Sequence, residues 1–90
     1  MSNGADTVKL LYFAWVREKL GRQEEELTPP EEVRTVGELL AWLRGLDEAH
    51  AEALADDAVL RVAVDQQHAD FDTPIAGARE IAFFPPVTGG

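Results

Sequence analysis

The sequence predicts a small layered α+β domain, a mixed sheet with one principal helix packed on one face. Three observations point there. Residues 7–13, 60–64 and 80–84 form short runs that are continuously apolar or alternating, and rich in β-branched or aromatic side chains. One longer stretch, opening at Thr35, carries its apolar residues at helical spacing. The final run leads directly into Pro85-Pro86 and then to Gly89-Gly90. A chain of 90 residues makes one such domain. It divides into a flexible N-terminus (1–6), the domain (7–84) and a flexible functional tail (85–90).

The elements follow in order. Residues 7–13, TVKLLYF, suit a strand buried on both faces. Residues 14–20, AWVREKL, suit one or two helical turns stopped by Gly21, with Trp15, Val16 and Leu20 as packing residues. Residues 23–27, QEEEL, precede Pro29-Pro30 and read as a solvent-facing strand. Thr35-Val36-Gly37-Glu38 fits a capping box, with Thr35 accepting from the backbone of Glu38 and Glu38 reaching back. Val36, Leu39, Leu40, Leu43 and Leu46 then mark the buried face, with Trp42 at its border. Residues 47–55 predict a second short helix. Residues 60–64, LRVAV, predict a strand, 65–68 a polar turn, 69–72 a short return strand and 80–84 the last strand, stopped by two prolines. In that last strand, alternation puts one of Phe83 and Phe84 inside and the other outside, without saying which.

Composition narrows the function. There is no cysteine, which removes disulfides, thiolate metal sites and a cysteine nucleophile and is compatible with a cytoplasmic setting. A formal charge of −9 repels phosphate backbones and anionic membranes, so neither nucleic acid nor membrane is an expected partner. No apolar run is long enough to span a bilayer, and residues 1–6 lack a signal-peptide pattern. His50 and His68 have no partners at metal-ligand spacing and read as surface residues, one on a polar helix and one in a turn. The many carboxylates read as solvated strand and loop positions. No nucleophile elbow, P-loop or dinucleotide fingerprint is present. The chain is expected to bind no cofactor and to lack catalytic apparatus of its own.

What remains is the α-carboxylate of Gly90. Gly makes up about 7% of residues, so a terminal pair arises by chance in roughly 0.5% of chains. Two residues without Cβ can enter a slot too narrow for other side chains. Pro85 and Pro86 favour an extended exit, and six residues from Pro85 onward span roughly 20 Å when extended. A carboxylate is ionised at neutral pH and a poor electrophile. Chemistry there requires activation, most simply as an acyl-adenylate made from ATP by another enzyme. Sulfide would convert that adenylate to a thiocarboxylate, and an amine would convert it to an isopeptide.

Phe13-Ala14, Arg17-Glu18, Gly21, Thr35-Val36, Glu38-Leu39-Leu40, Val62-Ala63-Val64, Gln66, Asp72-Thr73-Pro74 and above all the run from Glu80 to Gly90, ending FFPPVTGG, carry a resemblance. The chain resembles the small subunits of molybdopterin synthase (molybdopterin-converting factor subunit 1), ubiquitin-like β-grasp sulfur carriers. Asp65, where the family usually has Asn, and Ala78-Arg79, in place of a common Gly-Asp, depart from the pattern without touching the tail. The resemblance implies a β-grasp fold. It implies that Gly90 is adenylated by a ubiquitin-activating-like adenylyltransferase, the ATP being used by that enzyme, and converted to a thiocarboxylate with sulfur from a donor protein. The tail would then enter the large subunit of molybdopterin synthase, in a heterotetramer of two small and two large subunits. There two carriers would supply the dithiolene sulfurs that turn cyclic pyranopterin monophosphate into molybdopterin. The small subunit would be a sulfur donor, with sulfurtransferase activity belonging only to the complex. Phe83, Phe84, Pro85, Pro86, Val87, Thr88 and Gly89 would be the partner-binding residues. Two alternatives stay open: a related carrier for thiazole or tRNA thiolation, and a protein modifier that conjugates to lysines.

Overall fold

The computed structural model describes residues 7–86. Five strands form one mixed sheet: β1 (Val8–Tyr12), β2 (Glu24–Leu27), β3 (Arg61–Val64), β4 (Gln67–Ala69) and β5 (Glu80–Phe84). Their order across the sheet is β2-β1-β5-β3-β4. The central pair, β1 and β5, is parallel, with Leu10 opposite Ile81 and Tyr12 opposite Phe83. The other neighbours are antiparallel. Three helices, α1 (Ala14–Leu20), α2 (Val36–Arg44) and α3 (Glu48–Ala53), and a 3-10 turn (Asp57–Val59) make up the rest. This is the β-grasp arrangement, with the first and last strands side by side at the middle of the sheet.

β1 is not buried on both faces, as its composition suggested. Val8, Leu10 and Tyr12 are buried, whereas Lys9 and Leu11 are only partly covered. The helices pack on one face alone, and the other is open. Ile81 and Phe83 of β5 and Val62 of β3 complete the inner face of the sheet. Against it pack Val36, Leu39, Leu40 and Leu43 of α2, Val16 and Leu20 of α1, and Leu54 and Leu60.

The α2 cap departs from the expected box in one bond. Thr35 Oγ1 accepts from the Glu38 N–H at 3.2 Å, but Glu38 Oε1 accepts from the Arg34 N–H at 2.7 Å, one residue before the cap. The freed donors of the first turn go elsewhere. Val36 N–H donates to Thr73 O and Gly37 N–H to Phe71 O. Asp72-Thr73-Pro74 therefore belongs to a loop that caps α2, which satisfies the orphan donors of a helix start. Gly37 permits this approach, since a Cβ there would lie 3.2 Å from Phe71 O. The helix ends at Arg44, so Leu46 falls outside it and is 41% exposed. That overturns its expected place on the buried face.

β3 and β4 form a hairpin whose two central residues, Asp65 and Gln66, have φ of 50° and 72°. Positive φ at both positions makes a primed turn that matches strand twist. The turn is thus tighter and earlier than expected, so the return strand is Gln67–Ala69 and His68 lies in it. Asp65 also explains itself here: its Oδ1 accepts from the N–H groups of Arg79 and Glu80, tying the turn to the start of β5.

Candidate functional site

β5 is hydrogen-bonded on both sides, to β1 and to β3, and leads into Pro85 and Pro86, which are partly buried. The parallel partner β1 ends beside it, and the Phe13 N–H still bonds to Phe83 O at 3.2 Å. The chain therefore leaves the domain from the most tightly held strand, at a defined point. Val87, Thr88, Gly89 and Gly90 lie outside the described residues.

Register decides between the two phenylalanines. Phe83 is fully buried and stacks on Tyr12, ring centroids 6.3 Å apart and planes 14° from parallel. Phe84 lies on the open face, where its ring meets His68 at 5.8 Å with planes at 78°. Of the expected partner-binding residues, then, Phe83 is core, while Phe84, Pro85 and Pro86 sit together at the exit.

The open face carries an ordered pattern. Strand pairing sets Leu11 between Glu24 and Ala82, Ala82 beside Ala63, and Ala63 beside His68. This apolar row runs across the sheet between an acid and an imidazole. The next row toward the tail holds Phe84 beside Arg61, with Phe13 47% exposed nearby in the chain. The row away from the tail holds Glu26, Lys9 and Glu80. The result is an apolar centre next to the exit with charge around it. A cavity of about 540 Å³, lined by Val8, Pro30, Val33, Ile75 and Ala78 among others, opens at the other end of the sheet, away from the exit.

The second ordered polar set is built around a buried histidine and was missed from the sequence. His50 is 2% exposed. Its Nε2 lies 2.7 Å from Glu25 Oε2 and its Nδ1 2.7 Å from Asp47 Oδ1. Tyr12 Oη donates to Glu25 Oε2 at 2.7 Å, and Arg22 Nη1 to Glu25 Oε1 at 2.6 Å. Burial, reinforced by the Glu25 carboxylate, pushes the Tyr12 phenol pKa far up. Burial alone would raise the Glu25 carboxyl, but hydrogen bonds from Tyr12, His50 and Arg22 outweigh it and hold the pKa low. Asp47 is held low mainly by the His50 backbone N–H. This network fastens α3 to β2 and β1. The local signal was Asp47, three residues before His50 and capping α3 through that N–H at 2.9 Å. Glu25 is 25 residues away in the chain, and nothing local announces it.

Among the described residues no group of three or more His, Asp or Glu is placed to hold a metal ion. No described helix is long and apolar enough to cross a membrane.

Comparison with known proteins agrees with this architecture. The chain is 40% identical over 83 residues to the molybdopterin synthase sulfur carrier subunit of Escherichia coli, covering 92% of this chain and 99% of that one. It is 35% identical to the subunit of the same name from Mycosarcoma maydis, with both chains fully covered. The crystal structure of SAMP1 from Haloferax volcanii superposes with a TM-score of 0.73 at 26% identity, covering 94% of this chain and 100% of that one. A putative molybdopterin converting factor subunit 1 from Pyrococcus furiosus superposes at 0.66 with 25% identity, covering 90% and 98%. The ThiS family profile matches residues 10–90, from within β1 to the last glycine, and the chain belongs to that family.

Proposed function

We propose that this protein is the sulfur-carrier subunit of a molybdopterin synthase, in which Gly90 carries the sulfur as a thiocarboxylate. The observation that supports this most is the exit. A central strand, paired on both sides, delivers Pro85-Pro86 beside an apolar face, and Val87-Thr88-Gly89-Gly90 follow them in the sequence. The relatives named as molybdopterin synthase sulfur carrier subunits align over nearly their whole length.

The chemistry runs at one carbon. The Gly90 carboxylate attacks the α-phosphorus of ATP, held by a ubiquitin-activating-like enzyme, and releases pyrophosphate. Sulfide from a donor protein then adds to the acyl carbon and expels AMP, leaving a thiocarboxylate. In the large subunit that sulfur attacks a side-chain carbon of the pterin precursor and displaces an oxygen substituent, which leaves with the C–O bonding pair. Hydrolysis of the resulting thioester returns the carboxylate. Two cycles supply two sulfurs, which suits two small and two large subunits. This chain contributes reach and placement: a fixed exit, stiff prolines and terminal residues without Cβ.

The open face fits the same reading. Leu11, Ala63, Ala82 and Phe84, with Phe13 beside them, form the centre that a large subunit would cover. The surplus of acids suits a basic rim on the partner.

The test is reconstitution with activating enzyme, ATP, a sulfur source, large subunit and pterin precursor. Deleting Gly90 retracts the carboxylate by about 3.3–3.6 Å. A misplacement of about 1 Å can already cost two orders of magnitude in rate. The deletion should abolish product while leaving stability unchanged, and near wild-type turnover would end this reading. Mass spectrometry of the wild-type product separates carrier from modifier: an oxygen-to-sulfur exchange at the terminus marks a carrier, an isopeptide to lysine a modifier.

A further inference from the structure

His68 is absorbed neither by the core nor by the tail. It is exposed on edge strand β4, opposite Ala63 at the end of the apolar row. Its ring rests edge-to-face against Phe84, the aromatic residue that the face presents at the exit. We propose that His68 makes docking on this face dependent on pH, the partner covering its neutral ring and rejecting its cation. The proposal rests on the sulfur-carrier reading above and adds a control to the same surface.

The surroundings argue for this sign. Arg61 of β3 shares the face, but its Nη1 points to the carbonyls of Leu60 and Ala58, at 3.0 and 3.4 Å. Asp70 follows on the β4 side, and its Oδ1 is occupied by the Asp72 N–H and the Thr73 hydroxyl. Glu80 of β5 stands in the far row, register-paired with Lys9 of β1. Glu24 and Glu26 lie on β2, at the opposite edge of the sheet. Among the described residues no carboxylate hydrogen-bonds or ion-pairs with His68, and a positive guanidinium lies in the neighbouring row. Water is what solvates that cation. A partner seated on Phe84 displaces this water from the adjoining ring. A neutral imidazole tolerates such cover as an amphipathic ring does, whereas a charged one loses hydration without a counter-ion.

Docking then releases a proton only where the free chain carries an imidazolium at residue 68. Imidazole is the side chain that changes charge between about pH 5 and 8. Release of one proton weakens binding by at most about tenfold per pH unit on the acid side. The surface that seats here is accordingly apolar at this spot and bears no carboxylate against residue 68.

The experiment is calorimetric titration of the full chain with the large subunit of molybdopterin synthase, from pH 5.5 to 8.5. Wild type is compared with His68→Gln and His68→Leu, and thermal melts at each pH check folding. The expected result is a Kd that rises toward acid several-fold more steeply for wild type than for either variant, the three converging near pH 8. Taking the ratio of wild type to variant removes every other titrating group. Parallel profiles would overturn the proposal and leave the carrier reading standing. A wild type that binds more tightly in acid than His68→Gln would also overturn it, since that outcome requires a partner carboxylate. Absence of binding at every pH, for wild type and variants alike, would remove both the proposal and the reading beneath it.

Discussion

Replacing Phe83 or Phe84 by alanine should separate the two sides of β5. The two residues are adjacent and chemically identical, so composition and propensity cancel between them. Phe83 has no exposed surface and stacks on Tyr12. Removing a fully buried phenylalanine costs about 3–5 kcal/mol, through lost transfer energy and the cavity left behind. Its aromatic pairing accounts for about 0.5–1.5 kcal/mol of this. A 90-residue domain holds in total about 5–13 kcal/mol, so Phe83→Ala should be marginally folded or unfolded at 37 °C. Phe84 is largely covered but keeps some exposure on the open face. Full burial of such a side chain stabilises by about 1.5–3 kcal/mol, so its partial cover puts Phe84→Ala at about 1–2.5 kcal/mol. Urea titration followed by tryptophan fluorescence reads both. The order should invert in a binding assay with the large subunit, where loss of an aromatic anchor costs about 2 kcal/mol or more, roughly thirtyfold in Kd. Equal destabilisation by the two variants would refute the assignment of an inner and an outer face. A Phe84→Ala protein with unchanged Kd would refute the open face as the docking surface.

Three further outcomes follow from the same geometry. Glu25 and Asp47 have carboxyl pKa values lowered by folding; the stability they contribute is full above the unfolded values near pH 4 and is lost as pH falls through the folded ones. Glu25→Gln, which leaves His50, Arg22 and Tyr12 without their anion, should lower stability at pH 7 by about 1–3 kcal/mol and flatten that acid limb in denaturant titrations. Gln66 occupies a left-handed position, φ 72°, which costs a side chain about 1–2 kcal/mol; after the entropy cost of glycine, Gln66→Gly should raise stability by about 0.5–1 kcal/mol by calorimetry. Leu43 has no exposed surface at the centre of the α2 face, so Leu43→Ala should cost about 2–5 kcal/mol in urea, and a loss below half a kcal/mol would mean that the face is misassigned.

Much of this protein is local in origin and was readable as such. The run from Val36 to Leu43 carries its own period, and Thr35 its own cap, because a helix is set by residues three and four apart. The strand character of residues 60–64 and 80–84 lies in their β-branched and aromatic content. The tail chemistry proposed above rests on sequence alone, on what Gly89 and Gly90 lack, a side chain, and on the restricted φ of Pro85 and Pro86. Even the existence of one inner and one outer phenylalanine follows from the period of two.

The tertiary structure decided what depends on distant pairing. Alternation offers two phases, and only the register of β5 against Tyr12 and Val62 turns Phe83 inward and Phe84 out. The uncovered face of β1 follows from all the helices packing on the other side, which an apolar run alone does not reveal. His50 sits in a stretch of polar, helix-favouring residues. It is buried because Asp47 and a carboxylate from β2, itself held by a phenol on β1, meet the ring there, and a chain accommodates a buried imidazole only where such partners converge. Glu38 reaches Arg34, and the helix start is closed by Phe71 and Thr73, because the loop after β4 arrives within hydrogen-bonding distance. His68 gained its place beside Phe84 in the same way, when a two-residue turn brought β4 back along β3. Apart from the Glu38–Arg34 and Asp47–His50 bonds, each spanning about one helical turn, these contacts join residues 13 or more positions apart, beyond the reach of local periodicity, and are fixed only when the sheet closes.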